Sequence, residues 1–481
     1  MSDQTTKPKS SGMTRREFLG TTAAAAAFTI VPRHVLGGAG HVAPSDKINL
    51  AMIGVGGQGT YDMTQFMTLP EVQVVSVCDV VKEWDYSKFY FGGVKGREPA
   101  RELVDKTYGE KTGNGSYKAC TSYVDFYDML EKESGIDAIS VATTDSLHAF
   151  AAMAGLKKKK HVYCQKPLTH DVWEARQLRL AAKAQGVMTQ MGNQGRAGDG
   201  NRQVVEWIAA GAIGNMHEVH CWTNRPANYW PQGIKRPDET PSVPPTIDWD
   251  RWLGPAQWRY YHPLYTPFNW RGWWDFGTGA LGDMGCHIMD TPVWALNLAH
   301  PSAVQASATP FTDDSGPIAS IVTFEFPGRG KMPPVKLVWY EGGLTPPRPT
   351  ELEDSIPMGD GSGVLFIGEK GKLMCNTYGA EPRLIPIAAH KKYKQPAPTL
   401  ERVPDGERGI YADFTNSIKT GKPACSNFEV SGPLTEIVVM GNLAVHMKGQ
   451  RLLWDGEKME CTNVPEANKY VKREYREGWS L

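Results

Sequence analysis

The 481 residues are 22% charged and 41% hydrophobic, with 52 Lys and Arg against 52 Asp and Glu. That is chain enough for two or three globular domains, and a formal net charge of zero leaves no basic field for nucleic acid and no acidic excess of the disordered kind. The eight cysteines form no C-x-x-C pair, so neither a disulfide framework nor a zinc site is expected.

The chain opens with Thr14-Arg15-Arg16-Glu17-Phe18-Leu19, a twin-arginine pattern, followed by a mildly apolar run that ends at Val31, Pro32 and Arg33. The run is too short and too mild for a stable membrane anchor. A charged N-terminal helix is one reading. The stronger one is a Tat signal peptide and linker over 1–43, with passage through the Tat translocase and a periplasmic or other extracytoplasmic destination. That route carries proteins already folded, which suits one that takes up a cytoplasmic cofactor before export.

From Lys47 onward, apolar strands alternate with helices. Strands are predicted at Ile48–Ile53, Val72–Cys78, Ala138–Ala142, His161–Cys164 and Val187–Met191, and helices at Ser122–Glu133, Leu147–Lys157 and Val172–Gln185. Short continuous apolar strands separated by helices imply a parallel sheet covered on both faces. The Lys157–Lys160 run reads as a solvated helix end. This doubly wound block is assigned to 44–195.

A helix around Asn201–Ala210 and a strand over 216–224 lead into a long Pro- and Trp-rich stretch, and connections of that length are usually functional. A helix over Ala280–Leu296 precedes strand-like runs at Ala303–Thr309, Ile318–Phe326, Val335–Tyr340, Gly363–Ile367 and Lys372–Asn376, the last two flanking a turn. Strands clustered after a helix predict an α+β domain over 196–450 with a largely antiparallel open sheet. Leu434–Met447 is a further helix, and 451–481 a C-terminal tail.

The first strand runs into Gly54-Val55-Gly56-Gly57-Gln58-Gly59. In a G-x-G-x-x-G loop at a strand end, the first glycine makes the tight turn, the second admits a pyrophosphate, and the third lets helix and strand close up. The following helix N-terminus faces the phosphates. Alone the motif is weak in a chain with 50 glycines. Asp79 ends the next strand, where a carboxylate binds both ribose hydroxyls of NAD and repels the 2′-phosphate of NADP. A Rossmann domain that takes NAD in preference to NADP follows.

Ligands of such a sheet sit beyond the strand C-termini. Thr143 to His148 occupy one such end, with Thr143 and His148 as candidate cofactor contacts. Gln165-Lys166-Pro167 occupy the next. Pro167 keeps Lys166 out of the α region and admits a cis bond. A solvated loop lysine is the plainer alternative for Lys166. Downstream, Asp283 and His287 stand at i and i+4 and share a face if that segment is helical. Oxidising a secondary alcohol needs a base, and histidine's ordinary pKa of about 6.5 suits it. A surface Asp/His pair is the alternative. A metal site of Asp283, His287 and Asp290 lacks accompanying ligands, and no metal is expected. Eight tryptophans from Trp222 to Trp274 crowd the preceding stretch. Indoles pack on sugar C–H faces, so Trp270, Trp273 and Trp274 are candidate substrate contacts, with Arg225, Arg271 and Asn269 for hydroxyls. Burial in a core is the competing reading.

The glycine loop, the strand-end Lys166-Pro167 and the later Gly282-Asp283-Met284-Gly285-Cys286-His287 together resemble the Gfo/Idh/MocA oxidoreductases over nearly the whole chain from residue 47. Asn269-Trp270-Arg271-Gly272-Trp273-Trp274 and the terminal Arg473-Glu474-Tyr475-Arg476-Glu477-Gly478-Trp479 are similar to its exported bacterial branch. The resemblance implies a Rossmann domain followed by an α/β domain whose open sheet mediates homo-oligomers. It implies that Lys166 contacts nicotinamide and substrate hydroxyl, and it gives Asp283 and His287 catalytic roles. Gln165 departs from the pattern, because the family has Glu there. The implied function is nicotinamide-dependent oxidation of a sugar, glycoside or polyol, and export, which takes the protein where free NAD is scarce, adds the expectation of a tightly retained cofactor. Two alternatives are an NAD-dependent glycosidase acting by transient oxidation and elimination, and a non-catalytic sugar-binding relative, for which Gln165 is the main support.

Overall fold

The apolar runs of the first half become the strands of one parallel sheet. A computed structural model describes residues 43–112, 117–358 and 361–481. The twin-arginine stretch lies outside the described residues. Residues 43–47 hold a single 3₁₀ turn at Pro44–Asp46.

The remainder begins with β1 (Ile48–Ile53), helix α1 (Gly57–Thr68), β2 (Val72–Cys78), a two-residue-per-strand ribbon of β3 (Trp84–Asp85) and β4 (Val94–Lys95), and α2 (Arg97–Thr112). Next come β5 (Thr121–Tyr123), α3 (Phe126–Lys132), β6 (Ala138–Val141), α4 (Asp145–Lys157), β7 (His161–Cys164), α5 (Val172–Gln185) and β8 (Thr189–Met191). The six-stranded sheet has the order β5-β2-β1-β6-β7-β8, every pair parallel. Setting the β3–β4 ribbon aside, this is the 3-2-1-4-5-6 order of a dinucleotide-binding sheet, with its switch point between β1 and β6. The central strands are apolar on both faces because helices cover both. Leu50, Ala51, Met52, Ile53, Ala138, Ile139 and Val141 are all buried. The helix expected from Ser122 starts later, at Phe126, where Asp125 caps it by accepting from the Tyr127 amide. The residues before it pair as β5.

Helix α6 (Asp199–Ala209) leads to the second sheet, built from β9 (Met216–Thr223), β10 (Ala303–Ala308), β11 (Ser320–Phe326), β12 (Val335–Tyr340), β13 (Ser362–Gly368), β14 (Gly371–Cys375), β15 (Arg383–Ile385), β16 (Leu452–Asp455) and β17 (Glu460–Cys461). Its order is β15-β14-β13-β9-β12-β11-β10-β16-β17. All pairs are antiparallel except β12 with β9. Strand β11 alternates buried and half-buried residues, as a strand with one covered face should. Helices α7 (Ile410–Thr420) and α8 (Phe428–His446) follow β15, and α8 lies between α5 and β10.

The chain departs from the expected boundaries in two places. Tyr411 and Phe414 of α7 return to the first sheet, stacking around Phe66 and Tyr163. Residues 452–461 extend the second sheet's edge instead of forming a tail. The predicted helix over Ala280–Leu296 is broken into a π-turn at Leu281–Gly285 and short helices at Cys286–Ile288 and Asp290–Ala295. Gly282 and Gly285 lower helical propensity there and Pro292 withholds an amide.

Candidate active site

The glycine loop lies where β1 ends. Gly54 has φ +82°, and a Cβ there would stand 2.5 Å from the Ala142 carbonyl. At Gly59 a Cβ would run into the Gly54 carbonyl, so the third glycine is needed for the contact of helix with turn. The first turn of α1 has no side-chain cap, leaving its amides available to an anion. Asp79 follows β2. Its Oδ2 accepts from the Val55 amide and its Oδ1 from the Val81 amide, both at 2.8 Å, so the carboxylate braces the glycine loop. Burial raises its pKa, with the two amides opposing.

Gly54, Gly56, Gly57 and Asp79 line one cleft together with Gln58, Thr143, His148, Gln165, Lys166, Trp270 and Arg271. His148 offers Nδ1 to the Pro167 carbonyl at 2.7 Å, and its Nε2 is buried without a hydrogen-bond partner. Burial, reinforced by Lys166 and Arg271, pushes His148 down to about 4. A loop of glycines that tolerates no Cβ, an uncapped helix and an orphan imidazole nitrogen fit a nicotinamide dinucleotide. Trp479 and Tyr127 stand in the same cleft beside Asp125, beyond the end of β5. Tyr86 and Phe91, from the segment around the β3–β4 ribbon, sit over Gly56 and Gly57.

At the end of β7, two strands from the glycine loop, the Lys166–Pro167 peptide is cis. The Lys166 ammonium donates to Asp283 Oδ1 at 3.0 Å and to the Asp283 carbonyl at 2.8 Å, joining groups 117 residues apart. Arg271 Nε lies 3.4 Å from the same oxygen, and Arg225 Nη1 is 4.0 Å from Asp283 Oδ2. Burial would raise the Asp283 pKa, but Lys166, then Arg271 and Arg225, hold it well below the usual carboxylate range. Asp145, bonded to the Thr278 amide and hydroxyl, is pushed up to about 6 by burial.

His287 is buried beside this cluster. Asn193 Nδ2 donates to the Cys286 carbonyl at 2.9 Å, which turns Asn193 Oδ1 towards His287 Nδ1 at 2.8 Å. An amide oxygen only accepts, so Nδ1 carries the proton and Nε2 keeps the lone pair. Burial and then Lys166 push His287 down to about 3, with Asp283 opposing, so the ring is neutral at ordinary pH.

The structure thus brings Lys166, Asp283, His287, Arg225 and Arg271 together and places Trp270 in the adjoining cleft. Trp273 and Trp274 are elsewhere. Trp273 is fully buried, its ring against Tyr265 and its Nε1 donating to the Leu264 carbonyl. Trp274 packs on His446 and Phe311. Trp270 is itself buried, in the same apolar cluster as Trp273, and lines the cleft from there.

Gln165 does not partner Lys166's ammonium; Asp283 does. Its amide instead donates to Asp62 Oδ2 at 2.9 Å, while Gln58 and Tyr411 donate to Asp62 Oδ1, each at 2.8 Å. Burial raises Asp62 to about 6 despite these bonds. Asp62, Asn193, Trp479 and Tyr378 were not foreseen. The Tyr378 ring meets His287 edge-on at 5.2 Å, and its hydroxyl accepts from Gln194 at 3.2 Å. Only the terminal Gly-Trp left a sequence signal; the others are brought in by long-range packing.

Two family profiles match the chain. One is described as an oxidoreductase family NAD-binding Rossmann fold, over residues 96–193. The other is an oxidoreductase family C-terminal alpha/beta domain, over 221–326. The 1,5-anhydro-D-fructose reductase of Ensifer adhaerens is 26% identical over 238 residues, covering 49% of this chain and 59% of that protein. A glycosyl hydrolase family 109 protein of Stenotrophomonas maltophilia is 29% identical over 153 residues, 32% of this chain and 29% of that one. In both, the match spans less than two thirds of the relative's length. Among solved structures, the WlbA dehydrogenase of Bordetella pertussis, in complex with NADH and UDP-GlcNAcA, has the same fold. Its TM-score is 0.56 at 16% identity, over 85% of this chain and 99% of that one.

Proposed function

The chain belongs to the Gfo/Idh/MocA oxidoreductase family, and from that premise we propose that it oxidises a hydroxyl-bearing carbon of a sugar, glycoside or polyol with NAD. The observation that carries this reading is the convergence of Lys166, Asp283 and His287 at the end of β7, beside the dinucleotide cleft. Bound NAD supplies the hydride acceptor. The ammonium of Lys166, fixed by Asp283, donates to the substrate oxygen and stabilises the negative charge that develops there. His287 Nε2, its tautomer set by Asn193, accepts the hydroxyl proton, though burial and Lys166 make it a weaker base than the ordinary imidazole expected from the sequence. Asp283 orients Lys166. Asp79 supports NAD over NADP, because a 2′-phosphate would meet its carboxylate.

The test is reduction of NAD by a panel of sugars and polyols, first with the nucleotide that co-purifies and then with added NAD. No nucleotide in the purified protein and no thermal shift with NAD sinks the reading. Similarity to the glycosyl hydrolase family 109 protein supports a second reading, glycoside cleavage by transient oxidation and elimination. Cleavage without net change in nicotinamide absorbance selects it; a net redox product removes it. Export by the Tat route and assembly into a homo-oligomer complete the proposal. Cell fractionation and light scattering test them.

A further inference from the structure

Three cations converge on one carboxylate in the site: Lys166, Arg271 and Arg225 on Asp283, with side chains between 11% and 20% exposed. Asp145 lies close enough to oppose them in part, and burial holds it towards its neutral form. The cluster therefore keeps at least one positive charge in excess, in a place where water does little to screen it.

Arg225 is the member whose role the protein does not explain. It sits just past β9, its carbonyl accepting from the Gly342 amide at 2.6 Å and its guanidinium carbon over the Tyr229 ring, 3.1 Å from the centroid. Yet that guanidinium donates no hydrogen bond to any described residue, and its one ionic neighbour, Asp283 Oδ2, is 4.0 Å away. The dinucleotide's phosphates do not account for it. Their seat is the glycine loop at β1, and Lys166 stands at β7, two strands and therefore about 10 Å across the sheet. Arg225 follows β9 of the second sheet and stands near Asp283 and His287, outside the residues that line the dinucleotide cleft. A stacked guanidinium with its fork unused is built for a planar or tetrahedral oxyanion.

We propose that the substrate is an anionic sugar, its carboxylate or phosphate group held by Arg225 while Lys166 and His287 address a hydroxyl of the same molecule. This rests on the oxidoreductase reading of the site and names its substrate class.

The experiment is calorimetric titration of the nucleotide-bearing protein with matched pairs: D-glucose with D-glucuronate, D-galactose with D-galacturonate, and D-glucose with D-glucose 6-phosphate. At least one acid is expected to bind about 10- to 100-fold more tightly than its neutral partner, the range of one charge-assisted contact. Arg225→Gln should erase that preference. Arg225→Lys, which keeps the charge and loses the fork, should retain a smaller one. The pair that responds tells carboxylate from phosphate. Equal or weaker binding of every acid, a preference that survives in Arg225→Gln, or failure of every sugar to bind overturns the proposal. Tight binding of an acid without nicotinamide reduction instead overturns the oxidoreductase reading and leaves this one standing.

Discussion

Replacing Gln165 by the family's glutamate sets a second carboxylate beside Asp62, whose Oδ2 now accepts from Gln165 Nε2 at 2.9 Å. Two like charges at that separation repel by about 6 kcal/mol at an effective dielectric near 20. A proton relieves the repulsion. Asp62 already titrates at about 6, so holding its proton at pH about 7 costs ~1.4 kcal/mol, one pKa unit. Gln165→Glu should therefore lose ~1–2 kcal/mol at pH about 7, growing by ~1.4 kcal/mol per pH unit until the repulsion limit is reached. The sign follows from proton counts. The folded variant keeps a proton that its unfolded chain has released, so stability falls as pH rises. In the wild type the Asp62 pKa is also raised on folding. The stability its neutral form contributes is whole below the unfolded value near 4 and is lost as pH rises through about 6. The two proteins should match below pH about 6 and diverge above it. Thermal melting across pH about 5 to 9 reads this directly. The double variant Asp62→Asn with Gln165→Glu should restore the wild-type slope. Parallel curves above pH about 6 would refute the reasoning, since residue 165 would then not face Asp62.

Gly54→Ala forces a Cβ within 2.5 Å of the Ala142 carbonyl at φ +82°. It should cost ~1–3 kcal/mol of stability and weaken NAD binding at least about tenfold, measured by melting and calorimetry. Asn193→Leu frees the His287 tautomer, and kcat should fall about 100-fold with KM little changed. Trp479→Ala opens the cleft beside Tyr127 and should raise the NAD dissociation constant about tenfold, while sugar KM at saturating NAD stays put.

How much of this was legible in the sequence depended on the range of the interaction concerned. Ile48–Ile53, Val72–Cys78, His161–Cys164 and Val335–Tyr340 stand where their apolar runs put them, because a strand buried on both faces declares itself locally. Strand β5 did not, being three residues of Thr, Ser and Tyr beside a stronger helical pattern. The glycine loop and Asp79 were readable from spacing, since one βαβ unit places them together. The family resemblance named Lys166, Asp283 and His287 but not the bond between Lys166 and Asp283, and the bond between Gln165 and Asp62, 103 residues apart, came from nothing in the sequence. The tryptophans show the limit most plainly. Trp270, Trp273 and Trp274 look alike in sequence, and only packing separates the one that reaches the cleft from the two that do not.

Single-turnover reduction of bound nicotinamide tests the roles of Lys166 and His287 most directly. Protein loaded with NAD is mixed with a sugar it binds, and the reduced nicotinamide is followed by absorbance in wild type, Lys166→Ala and His287→Ala. The wild type should form one reduced nicotinamide per site, and each variant should do so about 10²- to 10⁴-fold more slowly while still binding NAD. Equal rates in the three proteins would contradict the assignment of the chemistry to these residues.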